Sequence, residues 1–380
     1  MIISKDVTHD SRVNRHATAL GAVGHEVIVL CRPSTTNQDR YETRQHYKVI
    51  RYHYPDLQVS ARKELDAHNA GKLPKLSRMA RFGTLFLLTK LRLYLLALRL
   101  RAHVYYCNDL DTLDVGIIMK FAGRKVIYDS HELYIEALAP GERRRLYTLF
   151  ERLFINCANV LITVNQFIAK ELAHRYKITK RIHVVLNCPE SQLQPPSRNS
   201  SSTVTVLYHG GLDPDRGLEN LVRASERFRE DIRLVIRGEG MLEKVLKQLA
   251  STRCHVSFER NVPVNQVVQK AADADVGVIP YLPTNLNNYF CSPNKLFEYI
   301  QAGLAVVTSD LPYLRQFVVE NGVGVIFDPR IPVDIAQKVN FVCEEKILQN
   351  FKQRAREVRK YYTWERERSR LYAAIKDLGI

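Results

Sequence analysis

The sequence predicts an α/β protein made of two parallel-sheet domains that face a central cleft. Two observations lead there. Short apolar, β-branched runs alternate with amphipathic helical stretches from one end of the chain to the other, the pattern of parallel sheets covered by helices. The alternation is broken once, where residues 187–203 read N-C-P-E-S-Q-L-Q-P-P-S-R-N-S-S-S-T, a polar, Pro- and Ser-rich stretch of linker composition. The implied division is an N-terminal Rossmann-like domain over 1–187, a linker over 188–203, a second Rossmann-like domain over 204–350, and C-terminal helices over 351–380.

In the first half the strand candidates are Ile2–Ser4, Glu26–Leu30, Lys48–Arg51, Val104–Cys107, Lys125–Tyr128, Val160–Val164 and His183–Leu186, with helices between them such as Arg12–Val23 and Gln166–Tyr176. The second series runs Val204–Tyr208, Ile232–Ile236, His255–Phe258, Asp275–Ile279, Ala305–Thr308 and Val323–Phe327. Each strand run is apolar and rich in Val and Ile, as expected for strands buried on both faces. In such sheets ligands bind beyond the carboxyl ends of the strands. From Asp334 onward the chain is helical and charged, and it holds the only tryptophan, Trp364.

The chain has 380 residues, 46% of them hydrophobic and 25% charged, enough for two or three globular domains. The formal net charge of +16 favours an anionic partner: a phosphorylated small molecule, an acidic membrane surface or nucleic acid. Seven cysteines occur singly without a C-x-x-C pair, which argues against a disulfide framework and for a reducing compartment. The start of the chain lacks the pattern of an export signal, and no window of eighteen residues is apolar and uncharged, so no membrane-spanning helix is expected. No Cys/His cluster at ligand spacing is present, and no metal ion is expected.

The most informative stretch is 292–312, S-P-N-K-L-F-E-Y-I-Q-A-G-L-A-V-V-T-S-D-L-P. Ser292 is a suitable N-cap, Pro293 suits the first helical position, and Gly303 can close the helix in the left-handed conformation. Leu296, Phe297 and Ile300 share one face. Lys295 and Glu298 lie on the other, one turn apart. The N-terminus of a helix attracts anions, Lys295 adds a full charge there, and Glu298 can accept two hydroxyl hydrogen bonds, as from a ribose. Read alone, the same two residues also fit a surface ion pair at i,i+3. The whole segment resembles the donor-nucleotide segment of family 4 retaining glycosyltransferases of the GT-B fold.

That resemblance organises the other motifs. Residues 209–217, H-G-G-L-D-P-D-R-G, follow a strand, and their glycines allow close backbone approach to a ligand. The family pattern here is often G-R-L-x-P-E-K-G, so Arg216 takes the lysine position while Gly211 stands where an arginine would be. Gly210, Gly211 and Arg216 are thus expected at the donor, together with Gly238 of the R-G-E-G loop (237–240), Ser292, Asn294, Lys295 and Glu298. The family's E-x7-E pair keeps its second member in Glu298, but Phe290 occupies the place of the first. In V-I-Y-D-S-H-E-L (126–133), helix capping by Asp129 or Ser130 is one reading; the resemblance implies a donor-sugar role for His131. In C-N-D-L-D-T-L (107–113), Asp109 is an acceptor-side candidate, with capping by Asp111 or Thr112 as its rival. H-D-S-R-V-N-R (9–15) resembles the family's D-x-R-V opening, which places Asp10 and Arg12 at the acceptor, although Asp10 can equally cap the following helix.

The resemblance implies transfer of a sugar from a nucleoside-diphosphate sugar, with retention of configuration and no protein nucleophile. Arg216, Lys295 and the helix N-terminus would stabilise the departing diphosphate, and His131 would act beside the sugar. Between Ala67 and Asn108 there is no acidic residue; Lys72, Lys75, Arg78, Arg81, Lys90, Arg92, Arg99 and Arg101 are interleaved with Phe82, Leu85, Phe86, Leu87, Leu91, Leu95 and Leu98. This stretch reads either as a core helix with a solvated basic face or as a dock for an anionic membrane. The expected setting is cytoplasmic, with peripheral docking on the cytosolic face and a lipid-linked or surface-polysaccharide acceptor. Two other classes fit parts of the pattern. An epimerase on the same fold would need the carboxylate that Phe290 replaces. A nucleic-acid-binding protein would suit the charge but lacks any recognition motif.

Overall fold

The structure, a computed structural model, describes residues 1–34, 37–52, 75–191 and 203–379. Most of the expected linker therefore lies outside the described residues, as do Lys72 and the side chains of 75–87.

The N-terminal sheet joins two sets of strands. β1 (Ile28–Cys31), β2 (Tyr41–Thr43) and β3 (Lys48–Arg51) pair in the order β1-β3-β2; β4 (Val104–Asn108), β5 (Lys125–Ser130), β6 (Val160–Thr163) and β7 (Ile182–Val184) pair in the order β4-β5-β6-β7. Ile2 bridges the sets, pairing in parallel with Leu30 on one side and Cys107 on the other. Every pairing is parallel except β2 with β3. The connections out of the Ile2 strand and out of β4 thus diverge to opposite sides, which makes this the switch point of the sheet.

The second domain has one six-stranded parallel sheet, β10-β9-β8-β11-β12-β13, built from β8 (Val204–His209), β9 (Ile232–Arg237), β10 (Val256–Glu259), β11 (Val276–Ile279), β12 (Ala305–Ser309) and β13 (Gly324–Phe327). Its order reverses between β8 and β11, so a crevice opens beyond their carboxyl ends. β11 and β12 are buried along their full length; the two polar residues that end β12, Thr308 and Ser309, donate to Ile279 O.

The C-terminal helices divide. Helix Glu345–Val358 stays on the second domain, with Leu348, Ala355 and Val358 in its core. Helix Trp364–Lys376 lies on the first, where Trp364, Leu371 and Ala374 join the core beside Val13 and Ala17 of helix Ser11–Ala22. The crossing therefore falls in the turn before Trp364, whose backbone N–H donates to Pro189 O at 2.8 Å.

Candidate active site

Beyond β8 and β11 is a cavity of about 350 Å³, lined among others by His209, Gly210, Arg216, Tyr281, Lys295 and Glu298. The helix that supplies Lys295 and Glu298 spans Asn294–Ala302, one residue later than Ser292 capping would place it. The reason is Pro293, which holds extended dihedrals and occupies the cap position itself, so Ser292 makes no capping bond. Gly303 closes the helix with φ 75°, as its sequence predicts. Leu296, Phe297 and Ile300 are fully buried.

Lys295 is no surface residue: it is only 5% exposed, and its Nζ has no hydrogen-bond partner among the described residues. The ammonium nitrogen lies 3.8 Å from the ring centre of Tyr208 and 4.9 Å from that of Tyr281. Burial, with the Arg216 charge beside it, pushes Lys295 well below the ordinary lysine range. Arg216 also lies over the Tyr281 ring, 4.3 Å from its centre. Two cations thus share one tyrosine at the edge of the cavity, next to a helix N-terminus. Glu298 is held by a 2.7 Å hydrogen bond from His209 Nε2. Burial opposes the charge of Glu298, but His209, Arg15 and Lys295 outweigh it and keep the carboxyl below its usual range.

Glycines shape the floor. Gly210 has φ 122°, and a Cβ there would lie 3.1 Å from Lys295 Nζ. A Cβ on Gly238 would lie 1.9 Å from Gly210 O, so Gly238 supports the β8 loop from behind, while Arg237 of the same R-G-E-G loop lines the cavity. Gly217, with φ 68°, abuts Pro280 O and turns the chain into helix Leu218–Ala224. Asn294 lines the cavity, while Ser292 lies buried behind it.

On the opposite side, residues at the N-terminal switch point come together. His131, just after β5, has Nδ1 3.3 Å from Asp109 Oδ2 and Nε2 3.5 Å from Asp129 Oδ2. Burial works against its imidazolium, yet these carboxylates prevail and hold the pKa up at about 8. Burial pushes the Asp109 carboxyl up to about 6. Asp109 has φ 62° and ψ 168°, a backbone region that only glycine visits readily, and its side chain caps no helix. Its Oδ1 instead accepts the His131 backbone N–H at 2.9 Å. Asp10 caps helix Ser11–Ala22 through Val13 N–H and pairs with Lys5 at 3.2 Å.

Arg12 requires a correction. It does not face an acceptor but is 4% exposed, with its guanidinium forked onto both Asp129 oxygens at 2.8 and 3.0 Å and donating also to Val185 O and Asn187 Oδ1. A buried aspartate attracts its cation inward, so Arg12 fixes the carboxylate that His131 leans on. Lys90 is likewise engaged, pairing with Asp114 at 2.6 Å.

The two sides touch through the loop 284–292. Asn287 accepts the Leu133 N–H and donates to Glu132. Phe290 stacks on Phe167 with ring centres 6.1 Å apart, and its carbonyl accepts from Asn165. The position where the family has its first glutamate therefore serves as an interdomain contact. Sequence reading did not single out His209, Tyr281, Arg15 or Asn287; His209 and Arg15 lie within quoted motifs and Tyr281 just after a strand, whereas Asn287 carries no sequence signal.

Residues 11–189 match the family model for Glycosyltransferase Family 4, and residues 203–345 match that for Glycosyl transferases group 1. The chain is a GT-B glycosyltransferase. Solved structures share the architecture of this transferase at low identity. Sucrose-phosphate synthase from Thermosynechococcus elongatus aligns with a TM-score of 0.76 at 16% identity, covering 97% of this chain and 92% of the other. HepE from Anabaena, in complex with UDP-glucose, aligns at 0.70 and 14%, covering 99% and 98%. WaaG, a glycosyltransferase involved in lipopolysaccharide biosynthesis, aligns at 0.63 and 14%, covering 97% of each chain. No curated protein matches the transferase sequence.

Proposed function

We propose that the transferase moves a sugar, with retention of anomeric configuration, from a nucleoside-diphosphate sugar to a lipid-linked or surface-polysaccharide acceptor, without a metal ion. The observation that carries this reading is the pair of cations, Lys295 and Arg216, sharing Tyr281 at the start of helix Asn294–Ala302 with Glu298 one turn on. A diphosphate supplies the anion that Lys295 lacks, and Glu298, held by His209, receives the ribose hydroxyls. Charge developing on the departing diphosphate is met by Lys295, Arg216 and the helix N–H groups, which takes the place of a metal ion. His131 stands beside the sugar, and Asp109 and Asp10 border the acceptor side. UDP-bound HepE and the lipopolysaccharide role of WaaG support the donor and acceptor classes.

The test is a thermal-shift panel of UDP-, GDP-, ADP- and dTDP-sugars. A donor at a hundred times its dissociation constant should stabilise by about 2.7 kcal/mol. Glu298→Ala should remove that response while the protein stays folded; an undiminished shift in the variant would take Glu298 out of the site.

Membrane docking belongs to the same reading. On helix Lys75–Leu100, Leu88, Leu91, Leu95 and Leu98 are 43–51% exposed, and Arg92 and Arg99 lie exposed among them. Helix Glu142–Phe154, in the same layer over the sheet, exposes Leu146, Leu149 and Leu153 among Arg143, Arg145 and Arg152. Leucines at helical spacing flanked by arginines fit an anionic bilayer surface. Among the described residues no helix is long and apolar enough to cross a membrane. The protein should float with anionic liposomes at low salt and be released as salt rises. Equal binding to neutral liposomes, or binding to neither, would count against docking.

A further inference from the structure

His209 ends β8 and lines the cavity together with Glu298. Its backbone N–H donates to the Tyr299 hydroxyl at 3.1 Å, and that hydroxyl donates in turn to Leu207 O at 3.1 Å. The imidazole lies against the Tyr299 ring, with centres 4.7 Å apart. Tyr299 is fully buried, and Gly277 of β11 leaves the room it fills: a Cβ there would lie 2.2 Å from its ring. The protein itself thus holds the His209 ring in place, with Nε2 2.7 Å from Glu298 Oε2.

A carboxylate only accepts hydrogen bonds, so the imidazole donates through Nε2. Nδ1 is buried and has no hydrogen-bond partner among the described residues, so nothing competes with Glu298 for the orientation of the ring. The relation is mutual. Among the described residues His209 makes the only hydrogen bond to the Glu298 carboxylate, whose side chain is 20% exposed. Oε2 is committed to the protein, and Oε1 is left for what enters the cavity. A ligand that met a loose glutamate would have to order it. Here that ordering is done in advance.

We infer that His209 is a positioning residue that sets the Glu298 carboxylate for a ribose, so that the site selects a ribonucleoside diphosphate over the same nucleotide with deoxyribose. The inference rests on the donor reading above, in which Glu298 receives the ribose hydroxyls. Oε1 and the remaining lone pair of Oε2 accept from the two neighbouring hydroxyls. Deoxyribose leaves one of these charged acceptors unpaired, which costs more than the bond that is merely absent. Without His209 the carboxylate turns freely, and ribose loses its advantage.

The test is calorimetry on the full chain with UDP, ADP and GDP, each beside its deoxyribose counterpart, and with inorganic pyrophosphate. The wild type should prefer the ribonucleotide by about 10- to 100-fold, the usual effect of one hydrogen bond to a charged group. His209→Ala should bring the ribonucleotide down to the level of its deoxy counterpart, while the affinities for that counterpart and for pyrophosphate stay as in the wild type. His209→Phe keeps a ring against Tyr299 but has no donor; it should do the same, so a folding defect of the alanine variant does not decide the outcome. His209→Gln, whose amide can donate to Glu298, should restore part of the preference. An unchanged preference in a folded variant without the donor would overturn the inference and leave the donor reading intact. An equal loss for ribonucleotide, deoxyribonucleotide and pyrophosphate would overturn it too, because His209 would then only support the loop. A wild type that bound no nucleotide, or bound both sugars equally, would take Glu298 away from a ribose and sink the donor reading along with the inference.

Discussion

At the scale of single residues, the site is governed by what burial does to charge. Among the described residues buried Lys295 and half-buried Arg216 have no carboxylate partner, whereas Arg12, three residues from Arg15, is saturated by Asp129 and two further oxygens. Sequence position alone does not separate these arginines. The helix places Arg12 over Asp129 and rotates Arg15 toward Trp364, and only a neighbouring carboxylate decides which cation is spent. His131 gives a pH signature. Its pKa of about 8 exceeds the ordinary value of about 6.5. A raised folded-state pKa stabilises the protein fully below the unfolded value and loses that contribution as pH rises through the folded one. The difference in melting temperature between wild type and His131→Asn should therefore be widest below about 6.5 and narrow as pH passes about 8. A difference independent of pH from 6 to 9 would mean that His131 is neutral throughout.

At the scale of elements, short loops after strands carry the chemistry, and glycine sets their shape. Gly217 combines a left-handed φ with a Cβ position 1.9 Å from Pro280 O, so no rotamer adjustment can admit a side chain. Gly217→Ala should cost about 2 kcal/mol or more in urea unfolding and should also weaken UDP binding, because the turn positions Arg216. Unchanged stability would show that the turn relaxes elsewhere. The helix Asn294–Ala302 was legible almost whole: its inward face, its C-terminal glycine and the strand after it follow from spacing alone. Its start falls one residue later than sequence places it because Pro293, expected at the first helical position, takes extended dihedrals and becomes the cap residue. Phe290 shows the limit of motif reading. Against the family pattern it looks like a lost carboxylate, whereas the fold uses it as an aromatic contact between domains.

At the scale of the whole molecule, two sheets bring their switch points to one gap, and several contacts tie the domains across it. One tie is the loop 284–292 against Leu133 and Asn165. Gln166, which donates to Gln316, and Phe167, edge-on to Tyr313, add a second. A further one is Trp364, buried in the first domain beside His16, with ring centres 5.3 Å apart, and fastened to Pro189. Trp364→Ala should destabilise the first domain by about 3–5 kcal/mol, the usual cost of removing a buried large aromatic ring. Urea unfolding followed by circular dichroism should then show two transitions, the earlier one shifted. A single unshifted transition would mean that the terminal helix is dispensable to the fold.

The sequence by itself determined the two α/β halves, the order of their strands along the chain, the donor helix and the net positive charge. Those features depend on period, composition and local backbone preference, which act between residues a few positions apart. Tertiary structure alone decided which cations keep their charge unspent, that Arg12 is buried against Asp129, and that His209 holds Glu298. These depend on which side chains meet across a sheet or a domain boundary. Such meetings join residues 89 positions apart for His209 and Glu298 and 117 for Arg12 and Asp129, and neither spacing nor propensity encodes them directly.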